Sequence, residues 1–169
     1  IESDKRYEYL EELDEGGSKT IKLVYDEQTY RPMAMAQLKE GDNREKYDSF
    51  LSEAFLTASL EHPNIIPLYE AGLDDNQHPY FTMKLIEGRN LSDLILEAKE
   101  NKSDEYSLQK ILDIFLKICD AIAFAHSRHV IHLDLKPDNI RIGTYGEVLV
   151  CDWGIAKLIE QGDETSHTQ

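Results

Sequence analysis

The sequence predicts an α+β fold, with strand-like runs gathered in the first half and helices prominent after them. Three observations predict it. Residues 20–25 (TIKLVY) and 31–38 (RPMAMAQL) read as strands around the polar turn 26–29. Residues 42–60 and 108–126 repeat apolar side chains at three- and four-residue steps, the period of a helix with one buried face. Residues 140–142 and 147–151 (EVLVC) are short apolar runs around Tyr145-Gly146, the pattern of a tight hairpin.

The chain has 169 residues, of which 41% are hydrophobic. That is enough for a core in one domain or two small lobes. A net charge of -15 argues against nucleic acid or an anionic membrane as a general partner. Cys119 and Cys151 lie in apolar runs without CxxC or histidine spacing, which argues against a zinc site or disulfide framework. A reducing, cytoplasmic setting is the expectation. No apolar run reaches membrane-spanning length, and the opening IESDKRYEYLEEL is not a signal peptide. The isoleucine start leads to the expectation of a longer parent chain.

Taken in order, residues 7–13 mix aromatic and charged side chains and lead into the turn signal Gly16-Gly17. The two strands follow. In the helix at 42–60, Tyr47, Phe50, Leu51, Ala54, Phe55 and Ala58 form one apolar face, with Asp42 or Asn43 as cap. His62-Pro63-Asn64 ends it. Residues 65–71 and 79–86 read as strands around the polar turn 74–78. Asn90 can cap a helix from 91 to about 99, and Ser107 a longer one. The stripe Leu112, Phe115, Ile118, Cys119, Ile122 marks that second helix as a core helix, with Cys119 as packing. His126 and His129 at its end are favoured by the helix dipole and require no metal.

Residues 131–154 read IHLDLKPDNIRIGTYGEVLVCDWG. The spacing H-x-D-x-K-x-x-N followed by D-x-G resembles the catalytic and metal-binding loops of the protein kinase family. The chemistry requires these residue types together. Phosphoryl transfer needs a carboxylate to orient an attacking hydroxyl, and oxygen ligands to hold Mg²⁺ on the nucleotide phosphates. The resemblance assigns the first role to Asp134 and the second to Asn139 and Asp152. Lys136 would offset charge on the transferred group. It implies ATP and Mg as cofactors, which an acidic surface does not exclude, because local backbone dipoles and the metal hold the nucleotide.

The same resemblance implies a bilobal kinase-like fold: an N-lobe antiparallel sheet with one helix, then the helical first part of an incomplete C-lobe. Residues 1–88 would form the N-lobe and hinge, and 89–169 the start of the C-lobe. Gly16 and Gly17 would lie in the phosphate-covering loop. Ala34 would pack on adenine, Met83 would guard the back of its pocket, and the backbones of Lys84 and Ile86 would hydrogen-bond it. Glu53 falls at the helix glutamate that pairs with a strand lysine.

Several positions depart from the family pattern. Aligned on G-x-G-x-x-G-x-V, Asp14 stands at the first glycine and Lys19 at the third. Met33-Ala34-Met35-Ala36 stands at V-A-I-K, so Ala36 replaces the phosphate-binding lysine. Lys19-Thr20-Ile21 resembles the K-T-V of the with-no-lysine kinases, in which a lysine reaches the phosphates from the neighbouring strand. Lys22 and Lys39 are further candidates, Lys22 at a strand position without family precedent. Arg141 stands where an apolar residue usually lies beneath adenine. Leu133 replaces the arginine before the catalytic aspartate, and Trp153 replaces phenylalanine in D-F-G. The DWG-I-A-K string resembles bacterial kinases of the eukaryotic type.

Residues 155–169 resemble the start of an activation segment, with Thr165, Ser166 and Thr168 as phosphorylation candidates. No A-P-E follows, so the long apolar helix is expected to stand exposed unless a longer chain or a partner completes the lobe. The functions implied are a Ser/Thr protein kinase, a pseudokinase acting as a binding or regulatory module, or a small-molecule phosphotransferase. The partners would be nucleotide and a protein substrate or regulator.

Overall fold

The computed structural model describes residues 6–15, 19–39, 44–101 and 107–158. Strands β1 (Tyr7–Glu15), β2 (Lys19–Asp26), β3 (Arg31–Leu38), β4 (Leu68–Leu73) and β5 (Pro79–Met83) form one antiparallel sheet ordered β1-β2-β3-β5-β4. Helix α1 (Arg44–Ser59) runs between β3 and β4. Alternation along the strands divides the sheet. Ala36, Leu38 and Phe81 pack with Phe50 and Ala54 of α1 on one face. Val24, Met33 and Met35 pack with Tyr7 and Tyr80 on the other. The edge strand β1 carries glutamates and two register shifts, features that discourage further strand pairing.

The β2–β3 turn is built on Asp26, which is fully buried. Its carboxylate accepts hydrogen bonds from Gln28 N (2.9 Å) and Thr29 Oγ1 (2.8 Å), and a fork from Arg6 Nε (3.2 Å) and Nη2 (3.1 Å). The Arg6 guanidinium overcomes the cost of burial and holds the Asp26 carboxyl down at about 2. Arg6 also pairs with Glu70 on β4, tying the turn to the far edge of the sheet.

The strand expected over 65–71 begins later. Pro67 lacks an N–H, and Ile65 instead makes a parallel bridge to Val150 in the lower part of the molecule. Similarly, the strand expected to run from 79 to 86 ends at Met83. Helix α1 is described from Arg44, so the caps expected at Asp42 or Asn43 lie outside the described residues.

The lower part comprises β6 (Gly88–Asn90), α2 (Leu91–Asn101), α3 (Leu108–Ser127), β7 (Val130–Ile131), β8 (Ile140–Gly143), β9 (Val148–Val150) and β10 (Lys157–Leu158). Strands β6, β8 and β9 form one sheet, and β10 pairs with β7. Asn90 caps α2 through Asp93 N (2.8 Å), and Ser107 caps α3 through Lys110 N (3.3 Å). Gly88 has φ 154°, and a Cβ there would lie 2.1 Å from the Ile142 carbonyl oxygen.

Helix α3 corrects the expected core stripe. It buries Ile114, Ile118, Ala121 and Ala125 against β7 and β9, while Leu112 (45%), Phe115 (59%) and Cys119 are exposed. Both flanks of the helix are apolar, so periodicity alone could not choose between them. Leu108, Ile111 and Leu116 extend the exposed flank.

Two outcomes test this framework. Folding stability of the full chain should fall as pH drops from about 4 to about 2, because the depressed Asp26 favours the folded state only while ionised. Asp26→Asn should flatten that part of a denaturation-versus-pH curve. Gly88→Ala should destabilise the chain by roughly 2 kcal/mol or more through backbone strain and the carbonyl clash, measured by denaturant titration.

Candidate active site

The 131–154 stretch folds as a strand, a loop, a 3₁₀ turn (Pro137–Asn139) and the β8–β9 hairpin. Buried His132 organises it. Its Nδ1 accepts from Asp134 N (3.2 Å), which leaves Nε2 to donate to the Cys151 carbonyl (2.9 Å). Trp153 is 1% exposed and meets the His132 ring edge-on at 4.5 Å. Cys151 N donates to the Asn139 carbonyl (2.8 Å), locking the two halves together. Leu133 (φ 65°) and Asp152 (φ 57°) adopt left-handed backbone, uncommon for residues with side chains and concentrated at functional sites.

Asp134 sits between two polar neighbours. Lys136 Nζ lies 3.1 Å from its Oδ2, and Asn139 Nδ2 donates to its Oδ2 (3.1 Å) and to its carbonyl (2.9 Å). The Lys136 hydrogen bond lowers the Asp134 pKa and raises that of Lys136. With its nitrogen committed to Asp134, the Asn139 amide leaves its oxygen for another ligand. Asn139 and Asp152 therefore offer hard oxygen donors without thiolate or imidazole. That set suits Mg²⁺, which takes one or two protein oxygens alongside phosphate. No group of three or more His, Cys, Asp or Glu arranged to hold a metal occurs among the described residues.

Lys19 comes from β2. It lies directly across from Leu38, and Ile21 lies across from Ala36. Opposed residues share a sheet face, so Lys19 emerges on the same face as Ala36, one strand over. Its Nζ is 2.5 Å from Glu53 Oε1 and 3.3 Å from Asp152 Oδ1. Burial opposes the charge of Lys19, but the two carboxylates outweigh it and raise its pKa. Burial raises the pKa of Glu53 despite the Lys19 charge. The directions are compatible, since two carboxylates share one ammonium. Gly154 permits this approach: a Cβ there would lie 3.1 Å from Glu53 Oε2.

Lys22 projects from the other face, where it bonds Gln37 (2.5 Å). Lys39 pairs with exposed Glu15 (2.7 Å). A hollow of about 350 Å³ near them is spanned by a chain of hydrogen bonds from Lys22 through Gln37 to Asp74. The larger cleft, about 630 Å³, brings Lys19, Glu53, Asn139 and Asp152 together with Ala34 and Met83. Lys84 and Ile86 line the same cleft. Lys84 N donates to Pro67 O (3.1 Å), while the Ile86 N–H has no partner among the described residues. Gly16 and Gly17 lie outside the described residues.

Two features escaped sequence reasoning. One is the Gly154 approach to Glu53. The other is how Arg141, already singled out by its place in the pattern, is held: its Nη2 lies 3.3 Å from both the Ile86 and Gly88 carbonyls. Strand alternation could have found its direction, since Ile140 and Ile142 on either side are buried. Cys151 shares the cleft, and burial pushes its thiol up to about 12, which keeps it protonated.

Residues 7–169 match the family model described as protein kinase domain. The chain is 38% identical over 173 residues to the serine/threonine-protein kinase PknD of Protochlamydia amoebophila, covering 97% of this chain and 17% of that protein. It is 37% identical over 177 residues to PknD of Chlamydia trachomatis serovar D (96% and 19%), and 39% over 160 residues to PknD of Chlamydia muridarum (90% and 17%). The chain thus spans under a fifth of the length of these relatives. Among the described residues no helix is long and apolar enough to cross a membrane. With the antiparallel sheet, α1, the helical start of the lower lobe and this match, the chain belongs to the protein kinase domain family.

Proposed function

We propose that this domain transfers the terminal phosphoryl group of ATP to a serine or threonine hydroxyl of a protein. The observation that carries the reading is the contact of Lys19 with both Glu53 and Asp152. It supplies a buried cation at the cleft although Ala36 occupies the usual lysine position. The names of the relatives support the serine/threonine class.

The division of labour follows from the contacts. Adenine would pack on Ala34, with Met83 behind it and the Lys84 and Ile86 backbones at its edge, residues that line one cleft. Lys19 holds the phosphates, and Glu53 fixes the direction of its ammonium. Asp134 orients the attacking hydroxyl and accepts its proton; its depressed pKa makes it an orienting group more than a strong base. Lys136 steadies charge on the moving group. Asn139 and Asp152 would hold Mg²⁺, which when bound neutralises charge on the phosphates. We place the lobe boundary at Gly88.

A non-catalytic module is the second reading, favoured by Ala36. It requires the absence of transfer, whether or not nucleotide binds.

Three outcomes separate these readings. Lys19→Ala should reduce phosphate transfer by roughly 100-fold or more in a radiolabel assay. Unchanged transfer sinks the lysine reading. Mg-ATP should raise the melting temperature of the full chain, and Asp152→Ala should abolish the Mg²⁺-dependent part of that shift. The acid limb of transfer should follow Glu53, not Asp134: the pKa of Glu53 is raised and that of Asp134 lowered, so Glu53 protonates first as pH falls. In a pH–rate profile, Glu53→Gln should lower the plateau and move the acid limb to lower pH.

A further inference from the structure

We infer that Arg141 is a cationic platform for the nucleotide base and a clip on the hinge that faces it, a role that rests on the nucleotide reading above. Arg141 lies on β8 between two buried isoleucines, so alternation turns its side chain away from the core and into the cleft. There its Nη2 bonds the carbonyls of Ile86 and Gly88, both at 3.3 Å. Those two bonds fix the guanidinium against the chain segment in which Ile86 also lines the cleft.

The charge of Arg141 is otherwise unanswered. Among the described residues no carboxylate pairs with it, and neither Nε nor Nη1 has a partner. In a chain of net charge -15, a partly buried guanidinium without a counterion is unusual. Backbone carbonyls stabilise it only in part. A planar cation held this way is suited to stack on a flat π-system, where the ring face supplies the missing electron density. The same arrangement explains why an arginine fits at a position beneath a base. Its plane matches a purine, and its clipped end leaves the hinge carbonyl of Lys84 untouched.

The contact acts on the base and not on the phosphates, which sets the test. Calorimetric titration of the full chain with Mg-ADP and, separately, with Mg-tripolyphosphate compares a ligand with a base to one without. Arg141→Met should weaken ADP binding roughly tenfold and leave tripolyphosphate unchanged. Arg141→Lys, which keeps charge and stem but not the plane, should fall between, and it carries the comparison if Arg141→Met unfolds. Hydrogen exchange at the 87–89 amides should quicken in both variants. Unchanged or tighter ADP binding in Arg141→Met overturns the platform alone. Equal loss for both ligands overturns it too, as the mark of a merely structural residue. A wild-type chain that binds tripolyphosphate but not ADP also removes it. Failure to bind either ligand removes the nucleotide reading itself and the platform with it.

Discussion

One ammonium group joins three separated pieces of chain. Lys19 on β2 reaches Glu53 on α1 and Asp152 beyond β9, so sheet, helix and loop meet at a point. The charges do not cancel: one cation faces two carboxylates. Because Lys19 and Glu53 are largely buried, their attraction is screened less than a surface pair would be. The excess negative charge also leaves Asp152 able to accept a further cation. Ala36 lies on the same sheet face, one strand over. Ala36 is fully buried against Phe50 and Phe81, so that position of β3 belongs to the apolar core. Lys19 reaches the two carboxylates from the neighbouring strand, about 4.8 Å away.

The loop around Asp134 is held differently, mainly by main-chain groups. His132 bonds the backbone at Asp134 and Cys151, Asn139 bonds the Asp134 carbonyl, and Trp153 seals the histidine from solvent. Left-handed backbone at Leu133 and Asp152 brings these groups into one small volume. Such a loop fixes the direction of its carboxylates before any ligand arrives, and preorganised charge is more effective than charge that must reorient. The upper contact, by comparison, depends on a long flexible side chain.

Much of this was legible in the sequence, for physical reasons. The loop residues are close in sequence because a short loop carries them, so their spacing survives as a motif. Strand alternation made β2 and β3 readable and separates Lys19 from Lys22 by face. Legibility failed where partners leave no side-chain signal. The carbonyls that hold Arg141 could belong to any residue, and the crowding at Gly154 arises from a helix a hundred residues earlier. It also failed where two answers shared one pattern. Helix α3 is apolar on both flanks, and Leu112 and Phe115 were as good a stripe as Ile114 and Ile118. The run 65–71 was apolar enough for a strand, but Pro67 shifted its start and gave Ile65 to another partner.

That other partner makes α1 a lever. Asn64 accepts from Val150 N (2.9 Å), Ile66 N donates to Val150 O (3.1 Å), and Asn64 Nδ2 holds the Val148 carbonyl (3.0 Å). Leu60, just past the helix, is buried in the lower core. The C-terminal end of α1 is therefore pinned to the lower lobe, which sets a fulcrum there. Glu53 stands seven residues upstream, an arm of about 10 Å at helical rise. A tilt of about 10° about that fulcrum displaces its carboxylate by about 2 Å, enough to break a 2.5 Å contact with Lys19. Any rotation of α1 about the seam at Val150 would therefore be felt first at the charge contact in the cleft.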